Sequence, residues 1–371
     1  MKEYKISEIN EIHIYGRTGS IKQPLPLFWS ASGIEMNVQA SEMWLEVESD
    51  YETMEPWIAV LLDSAMISRQ MVQKGRYWIP LFRGLDKETK RKVRVVREVQ
   101  AMSDDADCCL KLHAIRIDGE FCPIDEKKMK IEFIGDSITC GEGIVGAKGE
   151  MCWSSMVFGA SSNYATMVAE ALKADYRIVS QSGWGVLCSW DGDPARNIPA
   201  YYEKVCGLTV KGENAKCGAG EDYNFASWKP DYVFINLGTN DASAFSQPSV
   251  YNDVNGVLFD QRIEEDGSFE KASLQRFKYA VADFIKKVRK CNPDAYIIWG
   301  YGMLGLALRD AIVEVINSYK KESGDDRIEF MELTPSNEET VGSREHPGIL
   351  CHKQAAKKII ERLNRLSSPH L

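Results

Sequence analysis

The chain has 371 residues, 45 Lys+Arg against 54 Asp+Glu for a net charge of −9, and 44% apolar residues. Such a length accommodates two domains, and the composition is that of a globular rather than a disordered or fibrous protein. The acidic balance argues against nucleic acid or an anionic membrane as partner, and no apolar run reaches the length of a membrane span.

Residues 1 to about 120 read as strands. "GIEMNV", "MWLEVES", "PWIAVLLD", "RYWIPLF", "RKVRVVREV" and "LKLHAIRIDG" are short runs rich in Val, Ile, Trp and Tyr, separated by Gly, Ser, Asp and Glu. Several alternate apolar with polar residues, as in Met43-Trp44-Leu45-Glu46-Val47. This pattern predicts an all-β sandwich or jelly roll over residues 1–122. The stretch Asp118–Lys128 reads as the connection to a second domain, 128–371.

From Lys130 the pattern becomes strand, loop, helix. Buried strands are expected at Ile131–Ile134, Tyr176–Ser180, Tyr232–Asn236, Tyr296–Gly300 and Ile328–Glu332. One helical period runs through Leu274, Phe277, Val281, Phe284, Ile285 and Val288; others span Leu304–Tyr319 and Lys353–Leu366. Alternating β and α predicts a three-layer α/β domain with a parallel sheet, in which ligands bind beyond the carboxyl ends of the strands.

Two signals compete after the first of these strands, in "IEFIGDSITCGEGIVG". Gly141, Gly143 and Gly146 have the spacing of a dinucleotide fingerprint. In such a site, however, the first Gly follows the strand directly and the helix opens on the last. Here the strand ends six residues too early and no helical period follows Gly146, so a glycine-rich loop is the better reading. Ser137, in Gly135-Asp136-Ser137, caps the strand. A serine hydroxyl needs a base, and its oxyanion needs donors. Later strand ends carry "QSGWG" with Gly183 and "NLGTND" with Asn240. Of the five histidines, His13 and His113 lie in the β half, His370 in the tail and His352 near the last helix. His346, in "SREHPG", lies in the loop after the last strand.

These blocks in this order resemble the SGNH (GDSL) hydrolase superfamily, whose domain is a flavodoxin-like three-layer fold. A jelly roll ahead of "IEFIGDSITCGEG" resembles carbohydrate esterase family two, enzymes that remove O-acetyl groups from plant polysaccharides such as xylan and mannan. The resemblance implies a serine acetylesterase that needs no cofactor or metal. It implies Ser137 as nucleophile, His346 as base, and Ser137 N–H, Gly183 N–H and the Asn240 amide as oxyanion donors. The superfamily usually places Asp three residues before the His, where this chain has Ser343. Glu345 is the one acid close by in sequence. Neighbouring side chains in an extended loop point apart, so the expected support for His346 is a backbone carbonyl of Ser343–Glu345.

Sugar rings expose C–H faces that stack on aromatic side chains, which makes Trp190, Trp184, Trp153 and Tyr201 candidates for substrate contact, with Asp136 beside the nucleophile. Cys140 reads as a packing residue. No H-E-x-x-H, C-x-x-C or clustered His suggests a metal. Ten cysteines without such spacing, behind an N-terminus lacking a signal-peptide core, suggest reduced thiols and a cytoplasmic location. An acetylated oligosaccharide is the expected partner, and a homo-oligomer is compatible with the sequence. Two other functions share these motifs: a lysophospholipase or thioesterase, and a glycan-binding protein with a degenerate esterase half.

Overall fold

The computed structural model describes residues 1–252 and 256–367; His370 lies outside them. The chain divides into two compact units, and they are not consecutive in sequence. One comprises Met1–Lys128 with two later excursions, Cys152–Ser161 and Lys204–Tyr223; the other holds Met129–Met151, Ser162–Glu203 and Asn224–Leu371.

The first unit is built from two antiparallel sheets. One has the order Lys2–Lys5, Cys109–Ile117, Met43–Asp50, Gly75–Phe82, with Leu25–Pro26 also paired to Cys109–Ile117. The other runs Glu120–Cys122, Gly33–Gln39, Lys90–Arg97, Trp57–Leu62, Ala65–Met71, with His13–Tyr15 on Gly33–Gln39. Alternation does what it should along Met43–Asp50: Met43, Leu45 and Val47 are buried while Trp44, Glu46 and Glu48 are half-buried. The buried set joins Ile58, Val60, Val93, Val95, Leu112 and Ile115 in one core. Ala65–Met71 was not expected as a strand. It is an edge strand with an exposed first half, held by a two-residue turn at Asp63 and Ser64, both at positive φ.

The second unit carries a five-stranded parallel sheet. Its strands are β1 (Lys130–Gly135), β2 (Asp175–Ser180), β3 (Tyr232–Asn236), β4 (Tyr296–Tyr301) and β5 (Ile328–Glu332), ordered 2-1-3-4-5. That is the flavodoxin-like order. Its helices are α1 (Ser137–Cys140), α2 (Tyr164–Ala171), α3 (Thr239–Ala244), α4 (Lys271–Cys291), α5 (Arg309–Ser323) and α6 (Ile349–Ser367). Helix α2 packs with α6, and α4 with α5. The strands match the sequence expectation closely where their runs are buried, as in Tyr232–Asn236, while Ile328–Glu332 at the edge of the sheet is only partly buried. Helix α5 starts at Arg309 rather than Leu304. Gly302 and Gly305 sit at φ 137° and 112°, which keeps the chain out of helix until Leu308.

Candidate active site

The strand order fixes where a site forms. Strand β1 lies between β2 and β3, and the connections leave it in opposite directions, opening a crevice at the carboxyl ends of these three strands. Ser137 follows β1, Gly183 follows β2 and Asn240 follows β3. The turn after β1 is tight. A Cβ on Gly135 would lie 2.0 Å from Thr139 Oγ1, so only glycine fits. Asp136 caps α1, its Oδ1 accepting from Ile138 N–H at 3.0 Å, and this presents Ser137 at the first helical position.

His346 comes from the far edge. Strands β3 and β4 separate β5 from β1, so the loop after β5 must reach back across the sheet ends. The glycine-rich loop after α1 receives it. Ser343 N–H donates to Gly143 O at 3.0 Å, Ser343 Oγ donates to Val145 O at 2.8 Å, and Arg344 N–H donates to Glu150 O at 2.7 Å. A Cβ on Gly143, at φ +83°, would lie 2.4 Å from His346 Cβ and 2.7 Å from Ser343 O. The glycine run therefore seats the histidine loop. Ser343, which stands where an acid would be expected, spends its hydroxyl on that seat.

The reactive pair is formed. Ser137 Oγ lies 2.9 Å from His346 Nε2, and His346 Nδ1 lies 2.8 Å from the carbonyl oxygen of Arg344. A carbonyl only accepts, so Nδ1 carries the proton and Nε2 presents its lone pair to the serine hydroxyl. Arg344 and Glu345 reach this arrangement at φ 56° and 57°. The left-handed region costs a residue with a side chain about 1–2 kcal/mol. Glu345 is exposed, and the ring nitrogen it would have to grip is already taken.

Glu142 is the carboxylate that the sequence reading passed over. It is 1% exposed, with Oε1 accepting from Arg344 Nε at 2.7 Å and Oε2 accepting from Ser182 Oγ. Oε2 stands 3.8 Å from His346 Nε2. Its signal in the sequence was one charge among the small and apolar residues of Gly141–Ala147.

The donor side is held by a second buried acid. Asp241 accepts from Val186 N–H, Leu187 N–H and Cys188 N–H at 2.9, 2.7 and 3.2 Å, which pins the loop after β2. A Cβ on Gly185 would meet this carboxylate at 2.3 Å. Burial pushes Asp241 up to about 6 despite those donors. Asn240 Nδ2 donates to Trp184 O at 3.1 Å and lies 3.4 Å from Asp136 Oδ2.

The expected substrate contacts separate. Trp190 is 52% exposed and adjoins Gly183, its Cδ1 lying 3.0 Å from where a Cβ on that glycine would be. Trp184 is buried against the half-buried Tyr201, ring centroids 5.2 Å apart, so it packs rather than presenting a face. Asp136 has no exposed surface, and the expectation that it touches substrate gives way to a capping role. Burial, with Asp241 and Glu142 nearby, pushes its carboxyl up to about 8. Trp153 belongs to the first unit, where it packs edge-on against Phe158. Cys140 is buried with its thiol on Ser180 Oγ at 3.2 Å. His352 is also buried; its Nδ1 accepts from Tyr164 N–H at 3.0 Å, and burial together with nearby His346 lowers it to about 3.

A family model described as GDSL-like Lipase/Acylhydrolase matches residues 131–359. Among solved structures, an acetyl xylan esterase from the rumen bacterium Butyrivibrio proteoclasticus is 44% identical with a TM-score of 0.97, covering 99% of this chain and 100% of that one. A family two carbohydrate esterase from Clostridium thermocellum, in complex with cellohexaose, is 25% identical with a TM-score of 0.78 over 96% of this chain and 99% of that one. In sequence, the cellulase/esterase CelE of Acetivibrio thermocellus is 28% identical over 346 residues, 89% of this chain. An acetylxylan esterase / glucomannan deacetylase of Cellvibrio japonicus is 25% identical over 236 residues, 62% of this chain. The chain spans 36% and 62% of the lengths of these two relatives.

Proposed function

The chain belongs to the GDSL-like lipase/acylhydrolase family, and from that premise we propose that it is a carbohydrate O-acetylesterase, releasing acetate from oligosaccharides of acetylated xylan or mannan. The observation that carries this reading is the Ser137–His346 hydrogen bond of 2.9 Å, with the histidine's other nitrogen held by a backbone carbonyl. The names of the relatives, acetyl xylan esterase and glucomannan deacetylase, support the substrate class.

In this reading Ser137 Oγ attacks the acetyl carbonyl carbon while His346 Nε2 takes the hydroxyl proton. The carbonyl oxygen becomes an oxyanion, which Ser137 N–H, Gly183 N–H and the Asn240 amide stabilise. The C–O bond to the sugar breaks, and His346 returns the proton to the leaving sugar oxygen. Water then attacks the acetyl-serine carbonyl as His346 takes its proton, the bond to Ser137 Oγ breaks, His346 returns the proton to Oγ, and acetate leaves. Exposed Trp190 beside Gly183 supports a sugar ring stacked at the mouth of the site. The two antiparallel sheets of the first unit we read as a jelly roll. We place its action on oligosaccharides in the cytoplasm, a reading supported by the spacing of its ten cysteines, which form no C-x-x-C pair.

The decisive experiment measures acetate released from acetylated xylan and glucomannan oligosaccharides, beside nitrophenyl esters of short and long acyl chains. Acetate release from the sugars, lost in Ser137→Ala with the fold intact, is expected. A preference for long acyl chains would instead identify a lipase or thioesterase. Glycan binding with no ester turnover would identify a binding protein.

A further inference from the structure

We propose that Glu142 is a positioning residue for the acyl-transfer centre, acting through Arg344 on the tautomer and aim of His346; this rests on the Ser137–His346 reading above. Arg344 supplies the carbonyl that holds His346 Nδ1, and it does so at φ 56° and ψ 30°, followed by Glu345 at φ 57°. Two successive left-handed residues with side chains do not hold themselves; the surroundings have to over-determine them. At Arg344 they do so through three contacts. Its N–H donates to Glu150 O at 2.7 Å, its Nη1 to Met151 O at 2.6 Å, and its Nε to Glu142 Oε1 at 2.7 Å.

Only the third of these acceptors is charged, and a charge-assisted bond to a buried carboxylate is the strongest of the three. It also comes from the right place. Glu142 N–H donates to Ser137 O at 3.0 Å, so the residue is anchored on the turn that carries the nucleophile. The ion pair with Arg344 thereby ties the histidine loop to the serine turn. The free edge of the carboxylate is steadied by Ser182 Oγ and stands 3.8 Å from Nε2, the nitrogen that becomes cationic on taking the serine proton. A triad acid would grip Nδ1, which Glu142 does not approach within bonding distance; its leverage on the tautomer runs through Arg344.

The test compares wild type with Glu142→Gln, Arg344→Ala and the double variant, all in the full chain, with nitrophenyl acetate as substrate. The tautomer of His346 is read by 15N NMR of histidine-labelled protein. The expected result is a fall in kcat of about tenfold or more in Glu142→Gln, with KM changed by less than about twofold. The double variant should be no slower than Arg344→Ala alone, because both substitutions remove one device. The wild-type ring should carry its proton on Nδ1, and both single variants should show a mixture. Glu142→Gln with wild-type kcat and an unchanged tautomer overturns the proposal, as do losses that multiply in the double variant. If Glu142→Gln does not fold, Glu142→Asp, which keeps the charge and shortens the reach, takes its place with the same readouts. If the wild type turns over no ester at all, it is the hydrolase reading that fails, and the tautomer measurement alone then supports or overturns the role of Glu142.

Discussion

His346 Nδ1 and the carbonyl oxygen of Arg344 lie 2.8 Å apart, in the place where a serine-hydrolase triad would put a carboxylate. A neutral acceptor fixes the tautomer as well as an acid does, but it brings less charge to the imidazolium formed in the transition state. Glu345→Ala is therefore expected to keep at least about a tenth of kcat, a loss of roughly 1.4 kcal/mol, while His346→Ala is nearly inactive. Steady-state kinetics of the two variants checks this. Equal loss in both would make Glu345 the third catalytic member.

Asn240 is aimed by its bond to Trp184 O and by the neighbouring Asp241, which pins Val186–Cys188. If its amide serves the oxyanion, Asn240→Ala should lower kcat by about 10²–10³ with little change in KM. A change confined to KM would make it a substrate-binding residue instead.

Gly143 gives the cleanest structural contrast. In Gly143→Ala the new methyl meets His346 Cβ at 2.4 Å and Ser343 O at 2.7 Å, at a φ of +83°. A cost of about 1–3 kcal/mol in stability is expected, with a fall in kcat as the histidine loop is displaced. Gly149→Ala, in the same loop, meets nothing within 4 Å and should behave like wild type. Thermal melts and nitrophenyl acetate turnover of the pair decide it; equal behaviour would mean that the loop yields without disturbing the site.

Asp136 carries a pH signature. Its folded-state pKa is pushed up to about 8, largely by burial, from an ordinary 3.8. Between those values the folded chain holds a proton that the unfolded chain releases, so this group's contribution to stability falls as pH rises from about 4 to about 8 and is level outside that window. Asp136→Asn removes the titration. The melting temperature of the variant should rise relative to wild type as pH increases from 5 to 8. A difference that stays constant over that range would show that Asp136 does not titrate there.

Much of this was legible in the residues. The parallel strands, from Ile131–Ile134 to Ile328–Glu332, stand out because both faces of such a sheet are covered, and most of their residues are apolar. The long helices show through their spacing of buried positions. Ser137 and His346 could be chosen because each follows a strand, and an open α/β sheet collects its chemistry at one end. Local spacing failed where glycine overrode it, at the start of α5, and where an edge strand lacked an apolar alternation, at Ala65–Met71.

What the tertiary structure alone decided lies between residues far apart in the chain. Gly143 looks like part of a phosphate cradle until the loop after β5 is laid across it, and Ser343 looks like a missing acid until its hydroxyl is found on Val145 O. Trp184 and Trp190 both lie in the segment after β2, yet one is buried against Tyr201 and the other is exposed. Glu142 acquires a role only when Arg344, some two hundred residues later, folds its guanidinium onto it and its carbonyl onto His346. Strand periodicity is a property of a few neighbouring residues and so can be read from their order. Close approach, burial and the partner of a charge depend on where the rest of the chain comes to lie.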